Sequence, residues 1–231
     1  IGAIICLLFV MGLIVVKGAY KWALLAATLF SILLSWGYHF EWFSRLFFDY
    51  FPLYNKFRAV SSILVVAEIT MPLIALLAIK EISEREQKST LVKPLLISTA
   101  ITAGICLIFV LFGSSICSFT SANDAQFASQ LPQWLMGMIY DQREYMLKSD
   151  ALRSLIFIIA AASLLFIYIK GKAKECYVAV VITLLIVADM WGVDKRYFND
   201  SHFVSKRAYE SAFAMQPYEK EILKDKDPHF R

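Results

Sequence analysis

Uninterrupted apolar runs separated by two alternating kinds of connector dominate the pattern of this chain. Six such runs stand at residues 1–16, 22–36, 59–79, 94–113, 152–169 and 177–190. Runs this apolar are the pattern of segments able to cross a membrane. A helix needs about 20 apolar residues to cross a hydrocarbon layer of about 30 Å, which the third and fourth runs meet; the second and sixth are short, and are expected to extend into aromatic flanks or to sit in protein rather than lipid. The first begins at Ile1 inside its apolar run, and the last residues read as a helix followed by an incipient strand, so both ends are expected to be cuts in a longer protein.

Three connectors are short and basic: Lys17 to Lys21, Lys80 to Lys88 with Lys93, and Lys170 to Lys174. By the positive-inside rule these face the cytoplasm. The long connectors 37–58 and 114–151 and the tail from Trp191 then face outward, where Trp36, Trp42, Trp134 and Trp191 suit the aromatic belt of the outer interface. Within the first long connector Glu41, Arg45 and Asp49 form one charged ridge on an otherwise aromatic and aliphatic segment, predicting an interfacial helix that ends at Pro52. A second outer helix is expected near residues 130–148, with Leu135, Met138, Ile139, Gln142, Tyr145 and Met146 on one face. The chain turns polar from Asp194, with a short helix expected near 218–224 behind Pro217.

The fold class is therefore an all-α polytopic membrane bundle of about six transmembrane helices, with interfacial amphipathic helices in its outer loops. Residues 1–193 form the bundle and 194–231 the start of an extracytoplasmic soluble domain. Composition agrees: 59% of the 231 residues are hydrophobic and mean hydropathy is +0.60, above the usual range for a soluble domain. A net charge of +4 carried mostly by connectors suits anionic lipid headgroups rather than nucleic acid. Cys6, Cys106, Cys117 and Cys176 are scattered, without a CxxC pair or a histidine cluster, and His39 has no second ligand in its loop, so no metal site is expected. The sequon Asn199-Asp200-Ser201 is of a kind common by chance.

The segment Tyr54-Asn-Lys-Phe-Arg-Ala-Val-Ser61 leads into the third run. Lys56 and Arg58 at the outer mouth of a helix offer a phosphate one point charge and one planar fork of donors, with Asn55 beside them. Basic residues also flank spans simply to reach headgroups. Glu68, on a stripe with Arg58, Ser61 or Ser62, Val65 and Pro72, is expected near the midplane, facing the bundle interior as a neutral carboxyl, either as a proton relay or substrate contact or as a hydrogen-bonded structural group. Asp189 is expected to cap its helix region or pair with Lys195 or Arg196, and Arg153 is a further candidate for anion contact.

Leu34-Ser-Trp-Gly37 with its aromatic loop, the Tyr54–Ser61 motif, Glu68, Asp194-Lys-Arg-Tyr-Phe-Asn-Asp200 and Glu221-Ile-Leu-Lys-Asp-Lys-Asp-Pro-His-Phe-Arg231 together resemble the bacterial YfhO family of large polytopic membrane proteins. The resemblance implies a GT-C-like glycosyltransferase of the bacterial inner membrane that takes a sugar from a polyprenyl-phosphate donor on the outer face. In that class the catalytic acid sits in the first outer loop, and no part of this chain matches that loop. Asn55, Lys56, Arg58 and Glu68 are then the substrate-binding candidates, and the expected partners are membrane lipids and a polyprenyl-phosphate sugar. A transporter or flippase coupled through Glu68, or a non-catalytic membrane scaffold, are the alternatives.

Overall fold

Seven helices follow the apolar runs and the first aromatic connector: α1 (Ala3–Val15), α2 (Tyr20–Ser35), α3 (Glu41–Tyr50), α4 (Val65–Glu84), α5 (Val92–Ile116), α6 (Gln133–Ile169) and α7 (Glu175–Tyr197). Two short helices close the chain, α8 (Lys206–Ala212) and α9 (Pro217–Ile222). The computed structural model describes residues 1–52, 54–56, 60–121, 124 and 131–223, and among these there is no strand. Among the described residues four helices are long and apolar enough to cross a membrane: those over Ser61–Glu84, Lys88–Ile116, Gln133–Ile169 and Glu175–His202. A fifth is added if the bent pair Tyr20–Ser35 and Gly37–Tyr50 is one broken span. The chain divides into two units, Ile1–Met190 and Trp191–Arg231.

In the first unit α1 is the hub. At about 20 Å it is shorter than a hydrocarbon layer of about 30 Å, and it buries Ile4, Leu7, Leu8, Met11 and Val15 against α4, α5 and α6. Its closest approach is to α4, where Gly12 faces Ile74 and Ala78. Small residues of this kind let membrane helices pack backbone to backbone, which lipid tails cannot drive by hydrophobicity alone. Helix α2 meets α4 through a buried hydroxyl pair: Thr28 Oγ1 and Thr70 Oγ1 lie 2.6 Å apart, and both also reach a carbonyl one turn back, at Leu24 and Val66. Of the two hydroxyl protons, one serves the cross-helix bond and the other its own turn.

The ends of α1 are satisfied by other elements. Lys21 Nζ donates to the Leu13 carbonyl at 2.9 Å and Arg85 Nη2 to that of Val15 at 3.3 Å, so two cations sit on the negative end of the helix. At the other end the Ala3 N–H donates to Asp189 Oδ2 at 2.8 Å. The basic connectors gather at the first of these ends. Ser83 bonds Glu175 Oε1, and Lys88 Nζ lies 3.9 Å from the Tyr168 ring centre.

One expected outer helix forms as read from sequence and the other does not. Gly37, at φ +48°, turns the chain after α2, so that α2 and the following helical segment diverge by 108°. The resulting α3 is the expected amphipathic helix, with Arg45 3.7 Å from Glu41 and with Phe43 and Phe47 edge-on to Phe30 of α2. The second outer helix, by contrast, is not separate. From Gln133 it runs unbroken into the fifth apolar stretch, making α6 37 residues long. At about 55 Å it exceeds the hydrocarbon layer by nearly a factor of two. No Gly or Pro interrupts it after Gly137, and Lys148 pairs with Glu144 one turn away.

The second unit starts inside α7, whose last turn, Asp194–Tyr197, is still helical where the sequence turns polar. Beyond it a turn at Asp200–His202 is closed by Asn199, whose Oδ1 accepts from the Ser201 N–H at 2.9 Å. Helix α8 is capped by Ser205, whose Oγ accepts from the Ala208 N–H. The strand expected at the chain's end falls on residues outside those described.

Candidate functional site

At the end of the first unit remote from the basic connectors, the bend after α2 folds α3 back over the start of the next connector. Gly37, Tyr38, Glu41, Ser44, Arg45, Phe48 and Tyr54 line a cleft of about 340 Å³ there. Ser44 Oγ holds the bend by donating to the Gly37 carbonyl at 2.9 Å. Tyr54, packed on Phe47, has a buried hydroxyl without a hydrogen-bond partner among the described residues. That burial pushes its phenol upward, so Tyr54 stays protonated and is a donor. The cleft thus presents one guanidinium, one carboxylate and aromatic walls, with the Tyr54 hydroxyl buried behind them.

Of the residues singled out in sequence, Asn55 and Lys56 lie in a short 3₁₀ turn directly after Tyr54, and Lys56 is exposed. Arg58 lies outside the described residues. Glu68 is not where the stripe argument put it. It occupies the first turn of α4 on an exposed face, while Ala67, Thr70, Ile74, Ala75 and Ala78 turn inward. The reason is steric: the face that meets α1 and α2 is the one with the small residues, and a glutamate would hold α1 away. The described candidates are therefore not drawn into one cluster with Glu68. Arg45 and Glu41, read in sequence only as a surface ridge, stand in the cleft instead.

A second polar centre joins three helices at this same end. Asp189 on α7 is 1% exposed. Its carboxylate takes the Ala3 N–H on Oδ2 and Arg153 Nη1 on Oδ1, the latter at 2.8 Å, and Arg153 Nη1 also reaches the Asp189 carbonyl at 2.7 Å. Its partner is thus Arg153 of α6, rather than the Lys195 or Arg196 proposed from sequence proximity; 36 residues separate the pair, and only packing of α6 on α7 brings them together. The anion that Arg153 contacts is a protein carboxylate.

A further ion pair has no counterpart in the sequence reading. Arg143, in the part of α6 preceding its apolar stretch, grips Asp124 with both nitrogens at 2.7 and 2.9 Å and bonds the Phe119 carbonyl at 2.7 Å. Among the described residues no group of three or more potential metal-ligating side chains occurs. No family model, curated protein or solved structure matches this chain.

Proposed function

We propose that this chain is the later part of the membrane bundle of a glycosyltransferase-like protein of the bacterial inner membrane, YfhO-like and of the GT-C kind, which handles a polyprenyl-phosphate-linked sugar at the extracytoplasmic face. In this reading the basic connectors are cytoplasmic, α1 and the bent α2–α3 pair complete six membrane-embedded segments, and the tail from Asp194 begins an outer domain. The observation that carries it is the cleft between α3 and Tyr54. Its aromatic walls suit a sugar face or prenyl chain, and Arg45, with Lys56 two residues beyond Tyr54 in the same connector, suits a phosphate. Arg58 adds a second fork of donors in the same connector. The transporter alternative asks for an inward Glu68, whereas the side chain stands on an exposed face of α4.

The test is binding of a polyprenyl-phosphate sugar to the purified full-length protein. Arg45→Ala and Arg58→Lys should each weaken binding by about 1.5–3 kcal/mol, the worth of a hydrogen bond to a charged group, with expression unchanged. Affinity of Arg45→Ala equal to the parent would remove the phosphate from this cleft, and equal affinity of Arg58→Lys would remove Arg58 from its binding.

A further inference from the structure

Between α4, α6 and α7, at the end where the basic connectors gather, lies a groove of about 300 Å³ that opens on one side. Leu76, Ile79, Leu165, Val178, Ile182 and Ile186 give it an apolar wall. It follows α7 from Glu175 to Ile186, about 16 Å of helix, which matches one leaflet of a hydrocarbon layer about 30 Å thick. Apart from Thr183, its polar residues stand at one end. There Glu175 accepts from Ser83 through Oε1 and from Tyr168, at 3.4 Å, through Oε2.

Glu175 is exposed, and no Lys or Arg among the described residues forms an ion pair with it, although Lys170, Lys172 and Lys174 precede it. Two hydroxyls on α4 and α6 fix the carboxylate at the groove's mouth, and they leave about half of its roughly four lone-pair sites unused. A carboxylate so held without a cation complements an amine, and a one-sided apolar trench beneath it complements an acyl chain.

We propose that this groove binds a phospholipid with a primary-amine headgroup, phosphatidylethanolamine, its ammonium on Glu175 and one acyl chain along α7. The exposed Lys172 and Lys174 supply positive charge for the phosphate of the same headgroup. This site is independent of the cleft at α3 and of the activity proposed for it.

Native mass spectrometry of the full chain in detergent, titrated with phosphatidylethanolamine or phosphatidylglycerol of identical acyl chains, tests the proposal. The parent should prefer the amine lipid by roughly tenfold, the factor that one charge-assisted hydrogen bond supplies. Glu175→Gln keeps shape and hydrogen-bonding capacity and should lower phosphatidylethanolamine to the level of phosphatidylglycerol. Thr183→Trp, at the exposed rim of the groove, should weaken both lipids while leaving thermal unfolding unchanged. Glycerophosphoethanolamine, the headgroup without chains, should not displace the bound lipid at equal concentration. Equal binding of the two lipids by the parent, or a preference that survives Glu175→Gln, overturns the amine contact. Undiminished binding by a folded Thr183→Trp variant overturns the groove.

Discussion

Arg153 donates through a single nitrogen to both the carboxylate and the main-chain carbonyl of Asp189, tying the start of the apolar part of α6 to the far end of α7. The other carboxylate oxygen caps α1 at Ala3, so one buried side chain serves three helices. Removing either partner leaves a different defect. Arg153→Leu strands a carboxylate that is 1% exposed, and loss of one member of a buried pair costs about 3–5 kcal/mol. Asp189→Asn keeps an acceptor and leaves Arg153, which is 28% exposed, able to reach water, so its cost should be smaller. Thermal unfolding of the detergent-purified variants should rank parent, Asp189→Asn and Arg153→Leu in that order. Equal midpoints for all three would show that the pair contributes nothing to the fold.

Contact between α1 and α4 gives a second prediction. A Cβ at Gly12 would lie 2.6 Å from Ile74 Cγ2 and 2.8 Å from the Ile74 carbonyl oxygen, and that backbone atom cannot swing aside. Gly12→Ala should therefore destabilise the protein by about 1–3 kcal/mol, as overpacking does. Gly104 on α5 has no atom within 4 Å of a Cβ position, so Gly104→Ala should be neutral or stabilising by up to about 1 kcal/mol. The difference between these two variants in thermal unfolding checks the packing, and similar midpoints would contradict it.

Much of this architecture is legible in the sequence because its cause is local. Apolar runs dictate where membrane-length helices lie, Gly37 after Trp36 marks where α2 ends, and the ridge of Glu41, Arg45 and Asp49 makes α3 amphipathic. The continuity of α6 was legible too, in the lack of any Gly or Pro between Met138 and Ile169, but the change from polar to apolar composition at Leu152 suggests a boundary that the backbone ignores. What could not be read was partner choice. Which face of α4 turns inward depends on Gly12 of another helix, and the partners of Asp189 and Arg143 are 36 and 19 residues away. Glu68 was placed by counting along one helix, whereas its face is decided by the neighbours that its helix must touch.

Cysteine chemistry provides a test of orientation. All four cysteines are free, Cys176 is exposed and Cys117 partly so. Cys117 follows α5 directly and Cys176 is the second residue of α7, beside the basic connector 170–174. If that connector is cytoplasmic, a membrane-impermeant maleimide on intact cells should label Cys117 and spare Cys176 until the membrane is opened. Labelling of Cys176 and sparing of Cys117 would invert the proposed topology.

The Arg143–Asp124 clamp predicts a defined pH dependence. The Arg143 guanidinium, hydrogen-bonded to both carboxylate oxygens, and then the Ser121 N–H, hold Asp124 below its ordinary value of 3.8. A carboxyl whose folded value lies below its unfolded value contributes stability above the unfolded value and loses it as pH falls through the folded one. The contribution should thus be complete at neutral pH and disappear only below about 4, the range of an ordinary aspartate. Asp124→Asn removes the titration and half of the clamp, so its unfolding temperature should lie below that of the parent from pH 5 to 8. As pH falls below about 4 the two curves should converge, because protonation turns the parent's carboxylate into a neutral group like the variant's amide. Unfolding temperatures measured against pH in detergent give the comparison directly, and a constant offset between parent and variant down to the lowest pH would show that Asp124 acts through something other than its charge.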